Sequence, residues 1–266
     1  MVREITIGQY YDEESVIHRL DPRVKLVATL VYIISIFVVN TYIGYIFVAL
    51  FLGVCVALSK VPVKYIVKGL RPVMIILLIT ILFNMLLTPG EILWKFGIFR
   101  ISKEGLKAGA TMALRLTLLI TGSSLMTLTT TPNNLTDAME RLLRPLSKIK
   151  VPVHEIAMMM SIALRFIPIL LEETDIIMKA QMARGADFES GNIIKRAKAL
   201  VPLLVPLFVS AFRRANDLAM AMEARCYRGG EGRTKMKPLK YVSRDYIAYA
   251  IVWLYLAGCI AMRIFM

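Results

Sequence analysis

Cysteine and histidine are scarce in this chain, and no nucleotide-binding loop is present. The three cysteines, Cys55, Cys226 and Cys259, stand at unrelated spacings, which indicates neither a disulfide framework nor a zinc site and leaves them as packing residues. The two histidines, His18 and His154, are isolated, so imidazole or metal-assisted chemistry has no constellation. Glu172, Glu173 and Asp175 have no histidine nearby and read as a solvated helix face. Gly229-Gly230-Glu231-Gly232-Arg233-Thr234-Lys235 is glycine-rich and basic but lacks the G-x-x-x-x-G-K-[ST] spacing that cradles phosphates. It reads as a flexible linker. No catalytic, cofactor or metal site follows, and the chain is expected not to be an enzyme. An apolar leader is missing too: the first 25 residues are polar and mixed in charge, so the first span is expected to act as its own anchor.

Apolar surface, by contrast, is abundant. Hydrophobic residues make up 57% of 266 positions and the mean hydropathy is +0.63, above the share of a soluble domain. The chain reads as an all-α integral membrane protein. Its net charge of +14 points first to basic cytoplasmic loops and only weakly to nucleic acid, and no nucleic-acid partner is expected. Crossing about 30 Å of hydrocarbon takes roughly 20 residues, and five candidate stretches appear: Leu26 to Asn40 and Thr41 to Leu58, together too long for one span and barely enough for two, then Pro72 to Thr88, Ala108 to Thr131 and Tyr246 to Met262.

Lys60, Lys64, Lys68 and Arg71, with no acid among them, place the loop between spans two and three in the cytoplasm. By parity the N-terminus is cytoplasmic and the C-terminus external. Pro89 to Lys107 is then external, and Gly90, Gly97 and the alternating Ile98-Phe99-Arg100-Ile101 suggest a small β-hairpin. Localisation follows as a multi-pass protein of the cell inner (plasma) membrane.

Three regions are expected: a membrane part at 1–131, a cytoplasmic insert at 132–243 and a final span at 244–266. The insert holds 18 basic and 11 acidic residues. It is too long for a connector and too apolar to be disordered. Ala199 to Phe212 contains Pro202 and Pro206 and reads as a buried or interfacial helix rather than a span. Helix punctuation predicts three helices. A short one opens at Thr131-Pro132 and ends near Pro145 or Lys148; a long one runs from Val151-Pro152 to Arg184; another runs from Gly191-Asn192 to Arg225. Pro168 should bend the first long helix, and Pro202 and Pro206 the second.

The two long helices end alike. Gln181-Met182-Ala183-Arg184-Gly185 closes one and Met222-Glu223-Ala224-Arg225-Cys226 the other. A cation in a last turn ordinarily offsets the helix dipole, and glycine ordinarily follows it. Two copies in one insert instead suggest paired pegs, because a guanidinium makes several charge-assisted bonds and cannot be titrated away.

Further stretches join these motifs: Ser15-Val16-Ile17-His18-Arg19-Leu20-Asp21-Pro22-Arg23-Val24-Lys25, Thr129-Thr130-Thr131-Pro132 and Leu164-Arg165-Phe166-Ile167-Pro168. Together, in order along essentially the whole chain, they resemble the transmembrane T component of energy-coupling factor (ECF) ABC-type transporters for vitamins and metal ions. The resemblance implies a non-catalytic subunit that joins a substrate-binding membrane S component to two ABC-type ATPases. Arg184 and Arg225, with Ala183, Gly185, Ala224 and Cys226 around them, would then dock in grooves of the two ATPases. It departs at Cys226, where many relatives have glycine. The adaptable Met158, Met159 and Met160, with Pro168, Pro202 and Pro206, would contact the S component.

Arg115, inside the fourth span, is costly in hydrocarbon unless it faces a partner or water. Asn84 is its expected acceptor, and Asp21 is expected to cap the first span. Two other functions fit the sequence less well. A membrane-embedded lipid-modifying enzyme needs clustered acids that are not seen. A self-contained permease needs polar residues lining several spans, and spans one, two and five have almost none. In the leading reading cargo never binds this chain.

Overall fold

The structure, a computed structural model, describes residues 10–89, 92–96, 99–188, 192–230, 236 and 238–265. Two compact units emerge, one built on Gly8–Ala138 with Leu239–Met266 and the other on Met139–Pro238. Gly90, Gly97 and Ile98 of the expected hairpin, Gly191 of the expected helix start and positions 231–235 of the linker lie outside the described residues.

The first unit contains α1 (Pro22–Val38), α2 (Tyr42–Ser59), α3 (Val63–Leu87), α4 (Lys103–Thr129) and α8 (Ser243–Phe265). Strands β1 (Ile92–Phe96) and β2 (Phe99–Ser102) pair antiparallel between α3 and α4, with a register shift between Ile92 and Trp94. The expected hairpin is therefore present. α3 starts nine residues before the expected Pro72, so Lys64, Lys68 and Arg71 lie on its first turns rather than in a loop. Pro62 is the residue that sets the helix start, and Pro72 sits inside the helix.

Packing in this unit relies on small residues and satisfied hydroxyls, as expected where lipid offers no hydrophobic drive between helices. The Tyr32 ring lies where a methyl on Gly122 would stand, 2.2 Å from its Cε1, and its hydroxyl donates to the Leu118 carbonyl at 3.1 Å. Ser35 and Tyr255 share a buried hydrogen bond of 2.7 Å. Ile36, Val48, Leu52 and Leu125 fill the core around them.

The run before α1 folds into a polar clasp. Asp21 is the α1 N-cap, accepting from the Arg23 amide at 2.9 Å and from its guanidinium at 2.7 Å. Arg23 also lies 3.8 Å over the Tyr241 ring. The Lys25 ammonium donates to the carbonyls of Thr129 at 2.7 Å and His18 at 3.1 Å, tying the foot of α1 to the end of α4. Asp245 on α8, 1% exposed, accepts from the Asp21 amide at 2.9 Å and the Val242 amide at 2.8 Å.

The second unit holds the end of α5 (Pro132–Leu143), a 3-10 turn at Arg144–Ile149, α6 (Val153–Ala183) and α7 (Ile193–Ala224). Three helices were expected here, and three form. Among the described residues, α2, α4, α6 and α8, with Val63–Met85 of α3 and Lys198–Ala224 of α7, are long and apolar enough to cross a membrane. The five-stretch expectation differs because α1 has 17 residues and because α6 and α7, of 31 and 32 residues, are themselves long and apolar enough to join the set. The protein is a multi-pass membrane protein.

Candidate functional site: two arginine-tipped helix ends

Both long helices close with the same backbone device. After Ala183, Arg184 is the C-cap at φ −89°; Gly185 donates to the Met182 carbonyl at 3.0 Å and Ala186 to that of Gln181 at 3.0 Å. After Ala224, Cys226 donates to the Glu223 carbonyl at 2.8 Å and Tyr227 to that of Met222 at 3.0 Å. Each is a Schellman motif with arginine at the C-cap. The next residue is left-handed in both, Gly185 at φ +87° and Cys226 at φ 55°.

Because these amides already satisfy the terminal carbonyls, the guanidiniums are not needed to cap their own helices. Ala183, Arg184, Gly185, Ala224, Arg225 and Cys226 are all exposed. Neither Arg184 nor Arg225 makes an ion pair among the described residues. The arrangement offers two stiff cationic ends to a neighbouring surface.

α6 and α7 are tied between these ends by an ion pair. Arg214 donates to Glu173 Oε2 from Nη2 at 3.0 Å and from Nε at 3.2 Å. The solvated-face expectation therefore holds for Glu172, which is exposed, and fails for Glu173, whose side chain is 21% exposed and turned to α7.

The second end is also strapped back. Gly229 turns the chain at φ +91°, and Gly230 runs so close to the His154 ring that a methyl there would stand 2.4 Å from Cδ2. His154 Nδ1 in turn meets Glu140 Oε1 at 2.9 Å, which joins the strap to α5 and to the start of α6. No such neighbour meets a methyl built on Gly185 within 4 Å among the described residues.

Met159, Met160, Pro168, Pro202 and Pro206 are exposed and Met158 is half-buried. They lie on α6 and α7, with exposed Phe208 and Phe212 on the same helix as the two later prolines. Arg115 does not pair with Asn84. It donates to the Tyr45 hydroxyl at 2.7 and 3.0 Å and to Asn40 Oδ1 at 3.3 Å. The Asn84 amide donates to the Thr80 carbonyl at 2.8 Å, and Asn84 lies level with Gly105 and Gly109 rather than with Arg115. Sequence reasoning missed the Glu173–Arg214 tie and the Gly230–His154–Glu140 strap.

Comparison with known proteins bears on this geometry. The family model for CbiQ, the cobalt transport protein, matches residues 13–236. Among similar curated proteins, the energy-coupling factor transporter transmembrane protein EcfT of Clostridium kluyveri is 59% identical over 252 residues, 93% of each chain. That of Thermosediminibacter oceani is 55% identical over 262 residues, 98% of this chain and 99% of its own. The Bacillus subtilis protein is 51% identical over 246 residues, 92% of this chain and 93% of its own.

Proposed function

The chain belongs to the cobalt transport protein family, as a transmembrane T component of an energy-coupling factor transporter, and on that premise we propose that Arg184 and Arg225 are the points through which two ABC-type ATPase subunits drive it. Nucleotide-driven closure of the ATPases moves the two helix ends relative to each other. The Glu173–Arg214 tie converts that motion into a change of crossing between α6 and α7. The exposed apolar faces carrying Met158, Met159, Met160, Pro168, Pro202 and Pro206 pass it to a membrane S component that holds the vitamin or metal-ion cargo. ATP is hydrolysed by the partners. The N-terminus, by parity of the spans, and the 132–243 region, in keeping with its basic excess, face the cytoplasm.

One observation carries this reading: two exposed arginines cap two helices through identical Schellman closures and have no ion-pair partner among the described residues. Truncating an arginine in a desolvated, hydrogen-bonded interface costs about 2 to 5 kcal/mol of docking. The test is Arg184→Ala with Arg225→Ala in the intact transporter. Substrate uptake and ATPase co-purification should both be lost while the chain still enters the membrane; retention of both would remove the proposal.

A further inference from the structure

The two hairpins of the membrane unit differ in height. α1 and α2 have 17 and 18 residues, about 26 Å each at 1.5 Å per residue. α3 and α4 have 25 and 27, about 38 to 40 Å. Three contacts fix how α1 lies on α4: Lys25 at the Thr129 carbonyl, Tyr32 at the Leu118 carbonyl, and Asn40 at Arg115. The helices are antiparallel and share a level at the Lys25 end. From there the α1–α2 turn climbs only to Arg115. α4 continues twelve residues beyond it to Lys103, about 18 Å. The unit has a step, and the short hairpin is less than the roughly 30 Å of hydrocarbon that a bilayer presents.

Below the step the surface is apolar and exposed, with Phe37, Ile43 and Ile46 at 56%, 54% and 66%. At the step itself are cations. Arg115 lies 5.8 Å from the Phe37 ring, and Lys107 Nζ stands 5.3 Å over the Tyr42 ring, so both lean on the α1–α2 turn. Arg115 has no carboxylate beside it among the described residues. No aspartate or glutamate occurs from Pro22 to Gly90. The one carboxylate on α4, Glu104, is three residues from Lys107 but eleven from Arg115, about 16 Å along the axis from the latter. Tyr45 and Asn40 satisfy donors of the guanidinium without neutralising it, and its Nη1 makes no hydrogen bond among the described residues.

A short hairpin beside a taller one draws the bilayer surface inward, which brings lipid head groups to the level of these two cations. The geometry points to a binding site for the phosphate of an anionic phospholipid at the α1–α2 turn, held by Arg115 and Lys107. The site is independent of the ATPase-docking reading and requires only that the unit sit in a bilayer.

The full-length chain in phosphatidylcholine nanodiscs doped with phosphatidylglycerol, examined by native mass spectrometry, tests it. Wild type should retain phosphatidylglycerol in preference to phosphatidylcholine. Lys107→Gln should lower the retained fraction about fivefold, the worth of one cation near an anionic surface. Lys107→Gln with Arg115→Gln should lower it further, and Arg115→Lys should restore part of it. Lys107 is exposed, so its substitution leaves the fold intact; undiminished retention in that variant would overturn the site. In delipidated detergent samples, phosphatidylglycerol should raise the melting temperature of wild type more than that of Lys107→Gln, and inorganic phosphate should not. Equal stabilisation by phosphate would mean a free-anion site and overturn the lipid assignment. Loss of the lipid on assembly with partner subunits would also overturn it, in favour of a partner carboxylate.

Discussion

Glu173 and Arg214 form their ion pair at matched distances from the two arginine tips: Glu173 is eleven residues before Arg184, and Arg214 is eleven before Arg225. At 1.5 Å per residue each arm is about 16 Å, so equal displacements of the tips act on the tie with equal leverage. The pair is part-exposed, with 42% of the Arg214 and 21% of the Glu173 side chain accessible, and such pairs contribute only about 0 to 1 kcal/mol to stability. Arg214→Glu should therefore leave expression near wild type and lower substrate uptake per ATP hydrolysed. Glu173→Arg in the same chain should restore part of the ratio. Unchanged uptake per ATP in Arg214→Glu reconstituted with its partners would deny the pair any part in coupling.

The matched arms were invisible in the sequence, whereas the tips were plain. An Ala-Arg end is local: its apolar helix, its cation and its left-handed residue are adjacent in the chain. The tie joins residues 41 apart on separate helices, and nothing in a charge run distinguishes a glutamate facing water from one facing another helix. Arg115 went to the wrong partner for a related reason. The short α1–α2 hairpin brings Asn40 and Tyr45 to the level of Arg115, a register that counting residues along the spans does not give. Strand and helix order were legible because prolines, glycines and apolar periodicity mark them directly.

Gly185 and Cys226 occupy the same left-handed position at φ +87° and 55°, but only glycine is free of the steric cost, about 1 to 2 kcal/mol for other residues. Gly185→Ala should lower stability by about that amount, since no described residue lies within 4 Å of the added methyl and the cost is conformational. Cys226→Gly should raise stability by up to about 1 kcal/mol and leave uptake unchanged. Thermal melts of the detergent-purified chain measure both.

The strap behind Arg225 gives a second-site test. Gly230→Ala places a methyl 2.4 Å from His154 Cδ2, which displaces either the ring from Glu140 or the backbone from the ring. ATPase docking at the Arg225 tip should weaken, and His154→Ala in the Gly230→Ala background should recover it. No recovery in a pull-down of the ATPase subunits would mean that the strap does not position the tip.

His18 sits in the turn before α1, its Nδ1 2.7 Å from Ser15 Oγ. Burial, and then the charge of Lys25, hold its pKa below the ordinary value. A lowered folded-state value means that the neutral ring is the folded form: the unfolded chain takes up the proton first as pH falls. Stability should be flat above about pH 6.5, the unperturbed histidine value, and decline as pH drops below it. His18→Gln should flatten that acid limb in melting temperature against pH; an unchanged limb would assign the loss to other groups.

Asp245 is the residue whose loss should damage the membrane unit most. It is 1% exposed and is the acceptor for two backbone amides, one in its own turn at Val242 and one at Asp21 across the sequence. Asp245→Ala strands both amides, and each buried donor without an acceptor costs about 1 to 3 kcal/mol. Asp245→Asn keeps one carbonyl oxygen but points an amino group where the second amide must donate, so about half of the loss should remain. The foot of α1 would lose its tie to α8 in the alanine variant while Lys25 still held it to α4. Fluorescence-detected size exclusion after graded heating should rank wild type above Asp245→Asn and Asp245→Asn above Asp245→Ala. Equal melting of all three would show that the carboxylate adds nothing to the clasp.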